Sequence, residues 1–444
     1  MLMEPLTARF VPSMTQQLRL VRSVGGAAYA PLLAEPAPPG PKGGYHMKFQ
    51  KAARAVTPLA LSAGMIAAGA GVAGASTKTH AGATPVISAS SFNLTFSVMA
   101  KLKPLVAKGS GKIAAILPDT TTSARYTEFD APYLKEAFLK AGMPASDFII
   151  QNAQGSDATQ YADAQADITQ GAKVLLVDPL DSGVGARIEA YAKSHGAAVV
   201  DYDRLTLGGS RSYYVSFNNV QVGRLIGHGF VSCVAAWHIK HPNALVMRGA
   251  PTDNNATLFA EGYMSVLNPL VKAHKITIVG QPAGTWTPSV AQTEFTQQFT
   301  AHKNMNSAVV PNDENAAPII TWLKSQQHIK PKTFPITGQD ATLVGLQNIL
   351  TGYQCGTVYK PIYLEAQAAA ALGIYLRAGV TPPKALANGT TMDTQEHKAV
   401  PSVLLTPEWV TTKNMKATIL KDKFVPAKQL CAGPYAAACK AAGI

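Results

Sequence analysis

Residues 173–204 read KVLLVDPLDSGVGARIEAYAKSHGAAVVDYDR. Two short apolar runs, Lys173–Val177 and Ala197–Asp201, flank Gly183–His195, whose apolar residues recur at helical spacing. A strand apolar on both faces has to be covered on both faces, which points to a parallel sheet with helices on each side. The same unit recurs in both directions. Upstream lie Lys112–Pro118 (strand), Tyr133–Ala141 (helix), Phe148–Gln151 (strand) and Ala158–Gln170 (helix), and Tyr213–Phe217 follows as a further strand. A second series starts with the helical Val220–Ile239. Strands are predicted at Ala244–Arg248, Ile276–Val279, Ala308–Val310, Phe334–Thr337 and Gly356–Tyr359. Helices alternate with them at Ala256–Lys272, Val290–Ala301, Ala316–Gln326, Thr342–Leu350 and Ile362–Ala378. A sheet typically has about five or six strands, and here there is material for two. The expected fold class is therefore α/β, with two doubly wound parallel-sheet lobes.

In such sheets ligands bind beyond the carboxyl ends of the strands, so the residues there are the ones to inspect. Lys112–Pro118 is followed by Asp119 and then by Arg125 and Tyr126. Ala197–Asp201 leads into Tyr202, Asp203 and Arg204, and Ala244–Arg248 into Asp253, Asn254 and Asn255. Trp286 follows the next strand, Asn312 and Asp313 the one after. Gln339 and Asp340 follow Phe334–Thr337, and Lys360 follows Gly356–Tyr359. Taken singly, an Asn or Asp after a strand reads equally well as a helix N-cap. Taken together, planar donors and acceptors suit vicinal hydroxyls, which donate and accept at once. Tyr and Trp offer apolar faces to the C–H side of a sugar ring.

Six segments occur in order: YDR (202–204), SFNN (216–219), DNNA (253–256), NDENA (312–316), GQDA (338–341) and VYKP (358–361). In that order and spacing the chain resembles the periplasmic sugar-binding proteins of ABC transporters, most of all their D-xylose-binding type, over about residues 113–425. The resemblance implies the type I periplasmic binding protein fold, two lobes joined by a three-stranded hinge. It implies ligand contacts from Arg125, Tyr126, Asp203 and Arg204 in the N-terminal lobe and from Asn254 or Asn255, Trp286 and Asn312 in the C-terminal lobe. Asp340 and Lys360 are expected beside the hinge. PDTTTSARY (118–126) lacks the charge-rich helix start of the xylose type. Hinge crossings are expected near Phe217/Asn218, Gln339/Asp340 and Glu396, with Ser402–Leu405 (SVLL) returning to the C-terminal lobe. The lobes are thus expected at 111–217 with 340–395, and at 218–339 with 396–425. The implied function is capture of a xylose-like aldose and its delivery to an ABC permease by a monomer that needs no cofactor. Alternatives are another sugar (ribose, glucose or a furanosyl signal), a sensory module for a chemoreceptor or kinase, or a secreted glycan-processing enzyme. The lactose-repressor type shares the lobe architecture but needs an N-terminal helix-turn-helix where this chain has an export signal.

That signal runs from 47 to 75: Lys48, Lys51 and Arg54 precede an apolar stretch from Val56 to about Gly71, and Ala73-Gly74-Ala75 stands before Ser76. The pattern is that of a secretory signal peptide, and no lipid-anchoring Cys follows it. Residues 1–46 read as an upstream extension outside the native chain, with translation starting at Met47, and 76–110 as a Ser/Thr-rich leader of the mature protein. The expected location is outside the cytoplasm, periplasmic or associated with the cell wall. The chain has 444 residues, 47% hydrophobic and 15% charged, with a formal charge of +13. Its basic residues are scattered singly, which argues against a nucleic-acid partner. Gly69, Gly71 and Gly74 spell G-x-G-x-x-G inside the export signal with no strand before them. His238 and His241 have no Cys or carboxylate neighbours and read as a solvated helix end rather than a metal site. No H-E-x-x-H or G-x-S-x-G is present, and the Asp residues at the strand ends have cationic neighbours that keep them ionised, which suits hydrogen bonding better than proton transfer. Four cysteines are too few for a disulfide scaffold. Cys431 and Cys439 are expected to pair across a Gly-Pro turn in the tail (426–444). Cys233 and Cys355 are read as unpaired, because the expected boundaries put them in different lobes.

Overall fold

The computed structural model describes residues 84–444; the extension, the signal peptide and the first leader residues lie outside the described residues. Through the N-terminal half the elements run α1 (Lys103–Lys108), β1 (Lys112–Leu117), α2 (Ala131–Lys140), β2 (Phe148–Asn152), α3 (Asp157–Thr169), β3 (Ala172–Val177), α4 (Ser182–Ser194), β4 (Ala198–Tyr202) and β5 (Tyr213–Phe217). They continue with α5 (Asn219–Ala236), β6 (Asn243–Val246), α6 (Asn254–Lys272), β7 (Thr277–Gly280), α7 (Pro288–Ala301), β8 (Ser307–Val309) and α8 (Asp313–Gln326). Then come α9 (Leu343–Leu350), β9 (Thr357–Tyr359), α10 (Ile362–Arg377), β10 (Gly389–Asp393), β11 (Lys398–Leu405) and β12 (Glu408–Val410), with α11 (Ala427–Leu430) and α12 (Ala436–Ala441) in the tail.

The N-terminal lobe is a seven-stranded sheet in the order β10-β11-β5-β4-β3-β1-β2, parallel apart from β10 at its edge. Strand order reverses between β1 and β3, which opens a crevice at their carboxyl ends. Side chains alternate across the pleat. Ile113, Ala115 and Leu117 pack in the core with the almost wholly buried α10, while Ala114 and Ile116 pack with Val184, Ile188 and Ala192 of α4. The C-terminal lobe repeats the plan: β7-β6-β8 are parallel, and bridges Ala308–Ile336 and Gln339–Val358 carry the sheet on to β9 and the antiparallel β12. The Phe334–Thr337 segment, expected as a strand, forms only that single bridge at Ile336.

Three expectations about organisation need correction. The leader is part of the N-terminal core: Phe96, Met99 and Leu102 are buried there, and Gln367 Nε2 donates to the Asn93 carbonyl at 2.9 Å. The second crossing lies near Lys360–Pro361 rather than Gln339/Asp340. Asp340 N donates to Val358 O (2.8 Å) and Val358 N to Gly338 O (3.1 Å), so Asp340–Tyr359 stays with the C-terminal lobe. The third follows Leu405 rather than Glu396, because Ser402–Leu405 pairs with Tyr214–Phe217 of β5 and belongs to the N-terminal sheet.

The second shift also changes the cysteines. With the segment before β9 in the C-terminal lobe, Cys355 meets Cys233 of α5, and the two form a disulfide with a Cα–Cα distance of 5.6 Å. Cys431 and Cys439 pair as expected. The two long helices of this lobe cross at glycines: a Cβ on Gly262 of α6 would lie 2.2 Å from the Val220 carbonyl oxygen, and one on Gly223 of α5 2.1 Å from that of Phe259. Backbone cannot retreat as a side-chain tip can, so Gly262→Val should cost about 1–3 kcal/mol of stability, read as a lower denaturation midpoint. The Cys233–Cys355 link spans 122 residues. Non-reducing peptide mapping should recover it, and replacing both cysteines with Ser should destabilise by roughly 4–5 kcal/mol on the chain-entropy account.

Candidate functional site

The carboxyl ends of the two sheets face one another across a cleft. Arg125, Tyr126, Asp203 and Arg204 line it from the N-terminal lobe, and Asn255, Trp286, Asn312, Asp340 and Lys360 line it opposite or beside the hinge. Of the residues expected from sequence, Asn254 is absent from this wall; it is buried, with its Nδ2 unpartnered. Ser123, Asp253, Phe259 and Gln339 also line the cleft. Asp253 and Gln339 follow strands in the sequence but are not among the contacts that the resemblance implies. Phe259 lies a turn into α6, where the sequence pattern marks it only as core.

Arg125 is wholly buried, and three elements supply its partners. Nε and Nη2 donate to the two oxygens of Asp130 at 2.9 and 2.8 Å, Nη2 also reaches Glu365 Oε2 of α10 at 2.7 Å, and Nη1 donates to Asp203 Oδ1 at 2.9 Å. A guanidinium has five N–H groups, so one, on Nη1, remains for anything in the cleft. Burial works against the charge on Arg125, but the three carboxylates outweigh it and hold its pKa well above the usual arginine value. Arg125 therefore acts first as the cation around which the N-terminal face is assembled.

Asp203 follows β4 with φ +59°, a left-handed conformation uncommon for a non-glycine residue. Its N–H still donates to Val215 O at 2.9 Å, so the chain leaves the sheet just where its carboxylate meets Arg125. Burial penalises that carboxylate, yet Arg125, Lys360 and Arg204 pull its pKa below the ordinary value. Arg204 Nη2 donates to the Tyr126 hydroxyl at 2.8 Å, and its Nε lies 3.6 Å from Asp178 in its own lobe and 3.4 Å from Asp253 in the other.

From the C-terminal lobe, Asp253 caps α6, with Oδ1 accepting from Asn255 N at 2.9 Å, while Oδ2 accepts from the Trp286 indole N–H at 2.9 Å. Trp286 lies against Gly249, where a Cβ would fall 2.1 Å from its ring, and meets Phe259 edge to face at 6.4 Å. Asn312 caps α8, accepting from Asn315 N at 3.2 Å, and donates to Glu314 at 3.1 Å. So capping and cleft-lining are the same residues here. Asn255 bridges the lobes: Nδ2 donates to the Asp203 backbone carbonyl at 2.9 Å, and Oδ1 accepts from the Tyr214 hydroxyl of the other lobe and the Asn219 side chain of its own. Lys360 pairs with Asp340 at 2.9 Å; burial opposes its charge, but Asp340 and Asp203 raise its pKa. Ser123 Oγ donates to Glu314 at 2.8 Å across the cleft.

Around Arg125, Arg204 and Lys360 the fold gathers Asp130, Asp178, Asp203, Asp253, Asp340 and Glu365. Acids in such excess over cations, out of water, favour their neutral forms at some positions. Burial raises Asp178 well above the ordinary carboxylate value and lifts Glu365 to about 8 against the pull of Arg125. Asp178 and Glu365 lie behind the wall, and the cleft itself presents carboxylate acceptors with guanidinium and ammonium donors between the Tyr126 and Trp286 rings. The side chains leave between them a cavity of about 30 Å³.

A model of the periplasmic binding protein domain matches residues 113–379. The chain belongs to the periplasmic binding protein family. It is 36% identical over 288 residues to the D-xylose-binding periplasmic protein of Escherichia coli, covering 64% of this chain and 83% of that protein. It is 28% identical over 356 residues to the multiple sugar-binding periplasmic protein SbpA of Azospirillum brasilense, covering 76% and 98%. Among solved structures it is similar to a carbohydrate transporter solute-binding protein of Chloroflexus aurantiacus in complex with D-glucose. That similarity has a TM-score of 0.63 and 25% identity over 71% of this chain and 97% of that one. The fold of the family, two doubly wound lobes of mainly parallel sheet, is the one described above.

Removing Arg125 from this periplasmic binding protein leaves three buried carboxylates without their cation. Arg125→Met should cost about 3–5 kcal/mol. The loss should be larger at pH 8 than at pH 5: Arg125 holds the Asp203 carboxyl below its ordinary value, without the cation burial carries it above, and stability is lost as pH climbs through the raised value. Chemical denaturation at the two pH values checks this.

Proposed function

We propose that this chain is an exported solute-binding protein that captures a monosaccharide, a xylose-like aldose, between its lobes and delivers it to an ABC sugar permease. The observation that carries the reading is a single cleft in which both lobes contribute charged planar groups and aromatic rings, Tyr126 from one and Trp286 with Phe259 from the other, at the carboxyl ends of their strands. Arg204, Asp253, Asn312, Asp340 and Lys360 are the proposed hydroxyl partners, with Tyr126 and Trp286 holding the two faces of the sugar ring. Arg125 and Asp203 set the charge and contribute their remaining donor and acceptor. The cross-lobe contacts Arg204–Asp253, Asn255–Asp203 and Ser123–Glu314 belong to a closed arrangement, and hinge opening admits the sugar.

Similarity to proteins named for D-xylose, multiple sugars and D-glucose supports an aldose as ligand. The chain acts by binding, so the sugar is recovered chemically unchanged, and it functions as a monomer. Among the described residues no helix is long and apolar enough to cross a membrane. The route out of the cytoplasm is the signal sequence at 47–75, and contact with the membrane is through the permease.

Calorimetric titration of the mature chain with D-xylose, D-glucose and L-arabinose tests the reading. One of these should bind saturably at one site per chain. Trp286→Ala and Asp253→Ala should each weaken binding roughly tenfold to a hundredfold, the consequence of about 1–3 kcal/mol for an unmet buried partner. Absence of binding to all three sugars would sink the proposal.

A further inference from the structure

A second, larger concavity of about 880 Å³ lies beside the sugar cleft, and Arg125 and Asp340 line both. Its walls otherwise differ in chemistry from the cleft's. Phe129 comes from the N-terminal lobe, Leu343 and Val344 from the start of α9, Phe424 from the C-terminal segment, and Pro434 and Tyr435 from the tail. The Phe129 and Phe424 rings stack at 4.0 Å with an interplanar angle of 11°. Val344 stands 49% exposed, one of few large apolar side chains so placed among the described residues.

The tail's position is built in rather than incidental. Leu430 and Cys439 are buried in a core shared with Leu346 and Ile349 of α9. The Cys431–Cys439 disulfide ties off the turn that carries Pro434 and Tyr435. This tail lies beyond residue 379, where the match to the family's domain ends.

Polar cleft and apolar annex, joined through one shared wall, fit an amphiphilic ligand better than a free sugar. We infer that this protein takes glycosides carrying an apolar, aromatic aglycone, with the sugar ring in the cleft and the aglycone in the annex. This rests on the monosaccharide reading above and names the substrate class of the same site. Arg125 and Asp340 form the wall that cleft and annex share, each paired with a cleft-lining residue, Asp203 and Lys360 respectively, and the glycosidic link of such a ligand crosses at these two side chains. Flat aromatic groups suit the annex because apolar contact and ring stacking reward them.

The test titrates the mature chain, disulfides intact, with D-xylose and D-glucose and with the α- and β-4-nitrophenyl glycosides of each. One aryl glycoside should bind at least tenfold more tightly than its parent sugar. Val344→Asp, at an exposed position that the fold tolerates, and Tyr435→Ala should remove that gain while the parent sugar's affinity stays within about twofold. Aryl glycosides binding no better than the free sugars would overturn the inference and leave the monosaccharide reading intact, as would a gain that survives both variants. Binding of neither sugars nor glycosides would overturn both readings.

Discussion

Everything at the cleft depends on Arg125 being kept charged in a dry place. Its guanidinium meets carboxylates from the residue just before α2, from the end of β4 and from the first turn of α10, elements far apart in the chain. Each carboxylate would be costly to bury alone, and so would the cation; together they are tolerable and fix the mutual position of three elements. The bidentate contact with Asp130 adds direction, since a planar fork accepts a carboxylate in one plane only. The Tyr202 hydroxyl also donates to Asp130, so the cluster reaches into the sheet itself.

From that anchor the charge pattern passes outward to groups able to exchange partners. Arg204 is shared between an acid of its own lobe and one of the other, and Lys360 holds Asp340 at the hinge. Such contacts combine two roles. They stabilise the closed arrangement, and they keep polar groups paired that a bound polyol would otherwise have to meet. Helix N-termini contribute in the same way, because Asp253 and Asn312 satisfy orphan amides while facing the cleft. Capping and ligand recognition, which pull a sequence reading in different directions, are here one arrangement.

The lobes themselves rest on two kinds of close approach. In the C-terminal lobe, α5 and α6 touch backbone to backbone at Gly223 and Gly262, and the Cys233–Cys355 link ties α5 to the segment before β9. In the N-terminal lobe, α10 is buried along nearly its whole length, with a run of alanines, Ala368–Ala371, lying in the core. Small side chains let that helix sit close against the sheet.

The order of strands and helices was legible in the chain because apolar periodicity is a local property, and so were two lobes, the cleft at the strand ends and most of its lining. Asp203 and Lys360 stand just past apolar runs, Arg125 and Trp286 in the loops that follow them, and the order of short segments carried the family. Asp253 is not marked out by the sequence, because an N-cap and a ligand-facing acid look alike in one dimension. What tertiary structure decided was partnership. The segment Ser402–Leu405 pairs equally well, by sequence, with either sheet, and only the register against Tyr214–Phe217 assigns it. The second hinge crossing moved by about twenty residues for the same reason, since it depends on Gly338 and Asp340 hydrogen bonding to Val358. With that boundary moved, Cys355 came to lie beside Cys233. Periodicity reports which face of an element is buried; which neighbour buries it is a long-range choice settled by packing and hydrogen-bond register.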